Sequence, residues 1–369
     1  MAGKELELLC IGNALIDVFA QGEEGTDYGL TQSVQHIEIE KLKKILLRLP
    51  SYVMVTGGGA ANVAKIAGYL GAKVAFTGAI AGDYGWDGDD SRDSDDGDSD
   101  LGRFFAGELR AAAVRLRLAE KPLPTGICLM LRTGDKTQIA ASPSAAFKLA
   151  ESDICEEDIK AARVVVVDGF ILDRPGLVQH ILALADKHET VAAIDLGSTA
   201  IAREHTAEIA AYAEKHPLIL FMNEEEARVF YEGLNDNLHS SLRDSVRFLL
   251  ETTPPCVRAS VRENSGKIEM PRTGDPIIVV KLRERGAVCL AGGAVYTART
   301  EAVTPLESTG AGDAFCAGFL TAWVRNKTIP ECAALGNKAA GIVLNAIGSG
   351  ITEQGEKSLA ELLELATPP

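Results

Sequence analysis

No two cysteines of this chain stand in a C-x-x-C spacing. Cys10, Cys128, Cys155, Cys256, Cys289, Cys316 and Cys332 are odd in number and widely scattered. That excludes a disulfide framework or a structural zinc site as the organising device, and thiols inside apolar runs read as small buried hydrophobes. Eighteen apolar residues never run together, and the polar start Met1-Ala2-Gly3-Lys4-Glu5 offers no apolar signal segment. Neither a membrane span nor a secretory leader is therefore expected. Basic stripes are missing too, and a formal net charge of −15 argues against a nucleic-acid partner. Aromatic residues make up 5% of the chain, so few rings are placed to stack a planar base.

The acidity is concentrated. Asp87 to Asp100 holds eight Asp against one Arg, which supplies −7 and leaves −8 elsewhere, ordinary for a soluble cytoplasmic protein. The run fits no EF-hand register. Setting Gly97 at the turn places Arg92 at the first ligand position, and setting Gly88 there places Ser94 at the twelfth. Residues 87–100 are expected to form a solvated surface insertion. With 46% hydrophobic residues over 369, the rest can bury a large core, and we expect one domain over 1–369.

Apolar periodicity predicts a strand at Leu6 to Ile11, a second through Val18 and a helix from Glu38 to Leu49. A helix after Asn62 with Gly71 as its stop and a strand at Val74 to Ile80 follow. Ile127 to Leu131 and Thr137 to Ala140 read as a hairpin about Gly134-Asp135. From Ile154 helices alternate with strands at Val164 to Val167, Val191 to Ile194 and Leu218 to Phe221, the rhythm of right-handed βαβ units in a mostly parallel sheet. An irregular insertion is expected over about 252–276, then a hairpin at Ile277 to Leu282 and Ala287 to Leu290. Two helices and a polar tail close the chain.

Chemistry concentrates in two glycine-rich turns that run into helices. Glu307-Ser308-Thr309-Gly310-Ala311-Gly312-Asp313 puts unpaired helix N–H groups and a carboxylate at one point. An acid beside an anion hole would repel phosphate, unless it removes the proton of a hydroxyl that attacks the phosphorus. The bland alternative is a loop for close packing with Asp313 as a dipole partner. Gly57-Gly58-Gly59-Ala60-Ala61-Asn62 is neither a Walker A loop nor G-x-G-x-x-G. It allows tight packing or ligand approach equally, and Asn62 adds a donor and an acceptor suited to a polyol. Asn223 and Glu226, three apart after a strand, suit either a hydrated cation or a capped helix start. Asp17, just past the first strand, is a substrate acceptor or a solvated turn acid.

Together these pieces resemble the PfkB/ribokinase family of carbohydrate kinases, from Cys10-Ile11-Gly12-Asn13 to about Thr352. One family signature is the 57–62 turn carried through Leu70-Gly71-Ala72 to Gly82-Asp83, the other is Thr309 to Asp313 with Ala314-Phe315-x-Ala317-Gly318 behind it. The resemblance implies a ribokinase-like three-layer α/β/α fold with a mostly parallel central sheet and a small β-sheet lid, its strands within about 13–38 and 115–141. It implies transfer of the ATP γ-phosphate to a sugar hydroxyl. Asp313 would be the general base, and Gly310, Ala311 and Gly312 the anion hole. Asp17, Asn13, Gly58, Gly59, Asn62 and Asp168 would bind the sugar. Asn223, Lys281, Arg283, Gly286, Thr309, Gly312 and Asn337 would bind ATP, with Asn223 and Glu226 organising Mg²⁺ through water.

Two departures stand out. Arg283 replaces the family's usual glycine in the ATP-side hairpin, and Glu307 replaces a usual aspartate, which weakens a monovalent-cation site. An adenosine or nucleoside kinase of the same family is the nearest rival, suggested by Gly12-Asn13-Ala14-Leu15-Ile16-Asp17 and Asp168-Gly169-Phe170-x-x-Asp173. A catalytically impaired ligand-binding relative is the rival from another class. The partners expected are a small sugar or nucleoside, with a homodimer through the lid, and no membrane or nucleic acid.

Overall fold

The valine run Val164-Val165-Val166-Val167 shows how the centre is built: Val164 and Val166 enter one apolar cluster, Val165 and Val167 the other. A strand's side chains alternate between faces, so a continuous apolar run needs cover on both sides. In the computed structural model, residues 4–23, 27–82, 97–235, 240–252, 270–273, 275–301, 303–348 and 350–366 are described.

The strands are β1 (Leu6–Ile11), β2 (Leu15–Gln21), β3 (Val34–His36), β4 (Tyr52–Gly57), β5 (Val74–Ala81), β6 (Arg115–Lys121) and β7 (Gly126–Thr133). They continue as β8 (Lys136–Ser142), β9 (Ala162–Asp168), β10 (Val191–Asp195), β11 (Leu218–Asn223), β12 (Ile277–Lys281), β13 (Ala287–Ala291) and β14 (Ala294–Ala298). The helices are α1 (Ile39–Leu46), α2 (Gly59–Tyr69), α3 (Gly97–Ala111), α4 (Glu156–Ala161), α5 (Pro175–Lys187) and α6 (Thr199–Lys215). After them come α7 (Glu224–Gly233), α8 (Ser240–Thr252), α9 (Ala311–Val324), α10 (Ile329–Val343) and α11 (Glu353–Ala366).

A nine-stranded sheet runs β14-β13-β12-β11-β10-β9-β1-β5-β6. It is parallel from β12 to β6, and β13 and β14 add antiparallel strands at one edge. Phe221, Phe319 and Trp323 lie in the cluster on one face, Ile181, Ile209 and Phe230 in the cluster on the other, so helices cover both. The chain leaves β1 for β5 on one side and returns to β9 on the other. Ligands of such sheets bind at the carboxyl ends of the strands beside that reversal. Asn13 follows β1, and Asp168, Asp195, Asn223 and Lys281 end β9, β10, β11 and β12.

A second sheet runs β3-β8-β7-β2-β4. Its membership differs from expectation. β6 lies inside the span expected for the small sheet, yet pairs with β5 in the large one, whereas β4 joins the small sheet from outside that span. The alternation in β6 is half-buried and charged, which suits an edge strand of either sheet, so only its partner decides. The C-terminal segment, expected as a polar tail, is helix α11, held by the buried Leu359. Most of the acidic insertion and of the irregular insertion lies outside the described residues, while Gly97 to Asp100 open α3.

Candidate active site

Both glycine turns end in helices whose N-termini meet. Gly58 caps α2 with φ 95°, and a Cβ there would lie 2.0 Å from the Asn13 carbonyl oxygen. Glycine is therefore required twice over, by the backbone angle and by the contact with the β1 turn. Gly310 caps α9 in the left-handed region, φ 83°. The two first turns are joined by one bond: Asn62 Nδ2 donates to Asp313 Oδ2 at 2.8 Å. A hydrogen bond to a charged group contributes about 1.5–3 kcal/mol net, enough to fix the carboxylate's orientation.

The acids crowd around that bond. A Cβ on Gly59 would sit 3.3 Å from Asp168 Oδ1 and 3.6 Å from Asp313 Oδ1, so both carboxyls border the same space. Asp168 is buried and its Oδ1 accepts from the Phe170 N–H at 3.1 Å, whereas Oδ2 has no partner among the described residues. Asn62 Oδ1 is likewise buried and unpartnered among them. Buried polar atoms are rarely left so; Asp168 Oδ2 lies toward Gly12, where a Cβ would be 2.9 Å from it, and Oδ1 is the oxygen nearer Gly59. Asn13 Oδ1 accepts from Arg174 Nη2 at 2.7 Å, and Arg174 Nη1 donates to the Ala146 carbonyl at 2.8 Å. Asn13 thus holds a neighbouring cation rather than facing the opening alone. Asp17 lies across Gly57, where a Cβ would be 2.2 Å from its Oδ1.

Burial tunes these groups. Loss of surrounding water pushes the Asp313 carboxyl up to about 8, with Asp195 adding repulsion and the Asn62 amide opposing. Asp17 is pushed up to about 7, first by burial and then by Glu307. Burial raises Asp168 as well, against the hydrogen bonds it accepts. A carboxyl poised near neutrality is suited to exchange protons with an alcohol.

On the far side of α9's first turn the groups are different. Lys281 Nζ donates to Asp195 Oδ1 at 2.8 Å and Oδ2 at 2.7 Å, and it lies 3.2 Å from where a Cβ on Gly312 would be. Burial would lower this lysine, but the Asp195 carboxylate foremost outweighs it, and the net shift is upward. Thr309 donates its N–H and hydroxyl to Glu307 at 2.7 and 2.9 Å, which ties the loop to its own flank. Ala311 N–H turns back to the Ser308 carbonyl at 3.3 Å, so Gly310 and Gly312 are better placed than Ala311 to offer N–H groups outward.

Three expected nucleotide-side residues are engaged within the protein. Asn223 and Glu226 form a capping box: Asn223 N and Nδ2 donate to Glu226 at 2.8 and 2.6 Å, and Glu226 N donates to Asn223 Oδ1 at 2.9 Å. Glu226 is buried, and desolvation, then Asp195, raises its carboxyl. Asn337 Nδ2 donates to the Ala298 and Arg299 carbonyls at 3.1 and 3.3 Å, so its amide holds the end of β14. Arg283 is exposed with φ 55°, and Gly286 has φ 89°. A glycine would adopt the conformation at 283 without strain.

Asp195 and Arg174 were not anticipated from sequence. The rule that singled out Asn223, an end-of-strand polar residue, applies equally to Asp195. Arg174, ahead of Pro175, carries no comparable signal.

Comparison with known proteins gives four findings. Residues 97–354 match the family described as pfkB family carbohydrate kinase. The chain is 37% identical over 76 residues to an uncharacterized sugar kinase of Archaeoglobus fulgidus, covering 21% of this chain and 30% of that protein, so the match spans under a third of the relative. It is 25% identical over 377 residues to adenosine kinase of Schizophyllum commune, 93% of this chain and 96% of that protein. A solved probable sugar kinase from Rhizobium etli superposes with TM-score 0.74 at 22% identity, over 98% of this chain and 99% of that one, which establishes the shared ribokinase-like fold.

Proposed function

The chain belongs to the pfkB family of carbohydrate kinases, and we propose that it transfers the γ-phosphoryl group of ATP in line to a hydroxyl of a small polyol. The observation that carries this reading is the Asn62–Asp313 bond. It joins the Asp313 carboxyl, in the first turn of α9 beside N–H groups for an anion, to Asn62, whose Oδ1 is buried and has no partner among the described residues.

Asp313 takes the proton of the acceptor hydroxyl, whose oxygen forms the new bond to phosphorus as the bond to the ADP oxygen breaks. Gly310 and Gly312 N–H groups stabilise the charge that develops on the transferred group. Asp17, Asp168 and Asn62 hold the remaining hydroxyls, and Gly57, Gly58 and Gly59 keep that wall free of side chains. The small sheet stands over this space as a lid and excludes water that would compete as acceptor.

Mg²⁺ would be held by Asn223 and Glu226 through its water shell, since both Glu226 oxygens already accept from Asn223. When bound, the ion neutralises phosphate charge. Among the described residues, the three-residue group close enough to ligate a metal directly is Asp173, Glu204 and His205.

A nucleoside acceptor is the second reading, favoured by the near full-length similarity to an adenosine kinase. A panel of sugars and adenosine with Mg-ATP, read by ADP release, tests both. Turnover with a sugar and none with adenosine supports the first reading, the reverse pattern selects the second, and no turnover with any acceptor overturns both.

A further inference from the structure

The alternation of strand side chains places Asp195 and Lys281 on the side of the large sheet that α9 covers. Asp195 pairs in register with Phe221, Phe221 with Val279, and Lys281 lies two residues beyond Val279 on the same face. Phe221 meets Phe319 of α9 edge-on at 5.4 Å between ring centroids. The ammonium of Lys281 consequently arrives beside Gly312, in the first turn of that helix. Asp195 is fixed from two sides: its Oδ2 accepts from Lys281 at 2.7 Å and from the Cys316 thiol at 3.2 Å. Other charged groups facing this point are Asp313 on α9, Asp168 at the end of β9 and Glu226 on α7.

We propose that Lys281 is the cation that stabilises the transferred phosphoryl group, and that Asp195 is the positioning residue that holds its ammonium against the first turn of α9. As negative charge gathers on the phosphoryl oxygens, the ammonium shares its three donors between the Asp195 carboxylate and those oxygens. A buried ion pair adds little stability over apolar residues of equal volume. A pair at the reacting ends of two strands, beside an anion hole, is placed to supply charge instead. This inference rests on the kinase reading above, and no bond is made or broken beyond those given there.

The deciding variant is Asp195→Leu with Lys281→Met, which removes both charges together and leaves no unpaired buried ion. With the acceptor found in the substrate panel, kcat is expected to fall about 10²–10³-fold, the cost of losing one transition-state donor, with KM for ATP changed far less. Asp195→Asn alone is expected to lower kcat about 10–100-fold, since the ammonium remains but is held by a neutral amide rather than a carboxylate. Should the double variant fail to fold by far-UV circular dichroism, the near-isosteric Asp195→Asn decides alone, because its amide oxygen can still accept from Lys281 and the Cys316 thiol. A kcat equal to that of the unaltered protein overturns the inference while leaving the kinase reading intact, as does a loss confined to KM for ATP. An unaltered protein that consumes no ATP with any acceptor overturns the kinase reading and this inference with it.

Discussion

The turns at Gly57–Asn62 and Thr309–Asp313 are alike on paper: glycines leading into an apolar helix with a polar side chain in its first turn. In space they divide the work. The first is sterically closed, since the Asn13 carbonyl leaves no room at Gly58 and the Asp17 carboxyl none at Gly57. The second is open at Gly312, where, among the described residues, the flexible end of Lys281 is what comes within 4 Å of a Cβ. One turn therefore shapes a wall, and the other keeps a space that charge can enter.

The largest break in that comparison is Asp313→Asn. It should lower kcat by about 10²–10⁴-fold while calorimetry still detects acceptor binding, because the amide keeps the shape but takes no proton. Normal turnover would remove Asp313 as the base. Next, Gly58→Ala should destabilise the fold by at least about 2 kcal/mol in a denaturant titration, from strain and overpacking together. Gly312→Ala, by contrast, should cost under about 1 kcal/mol, because the Lys281 terminus can move, yet still lower kcat. Equal stability losses at the two glycines would erase the distinction.

The pH dependence sharpens it further. The base must be ionised to work, and burial, then Asp195, hold Asp313 up to about 8. So kcat/KM should fall as pH drops below that value and level off above it. Asp195→Asn should move the midpoint down, and an unmoved profile would separate the two carboxyls. The smallest effect is expected from Arg283→Gly, outside both turns. Relief at φ 55° and the added freedom of glycine when unfolded nearly cancel, leaving a change within about 1 kcal/mol by thermal melting. A large drop in ATP affinity would instead assign the guanidinium to phosphate.

Much of the layout was legible in advance. The alternation after Ile154 announces β9, α5, β10, α6 and β11, because periodicity is a local property that the side chains carry. The hairpin β7–β8 turns at Gly134, φ 57°, where the Gly-Asp pair indicated. Partnership was less legible. β6 falls within the span expected for the small sheet yet pairs with β5 in the large one, and Asn223-x-x-Glu226 reads as a cation pair or a cap. Its capping geometry emerged only with the backbone in place.

For this chain, residue order alone specified the alternation after Ile154 and the two glycine turns, and singled out Asp313 as an acid at a helix start, since these depend on spacing, backbone freedom and helix ends. Only the tertiary structure decided which distant groups share that space. It brought Asn62 to Asp313 across 251 positions and Lys281 to Asp195 across 86. It also brought Glu307 near Asp17 and turned Asn337 to the end of β14. Electrostatic coupling acts through space, and strand order, which sets those distances, is not a local property of the sequence.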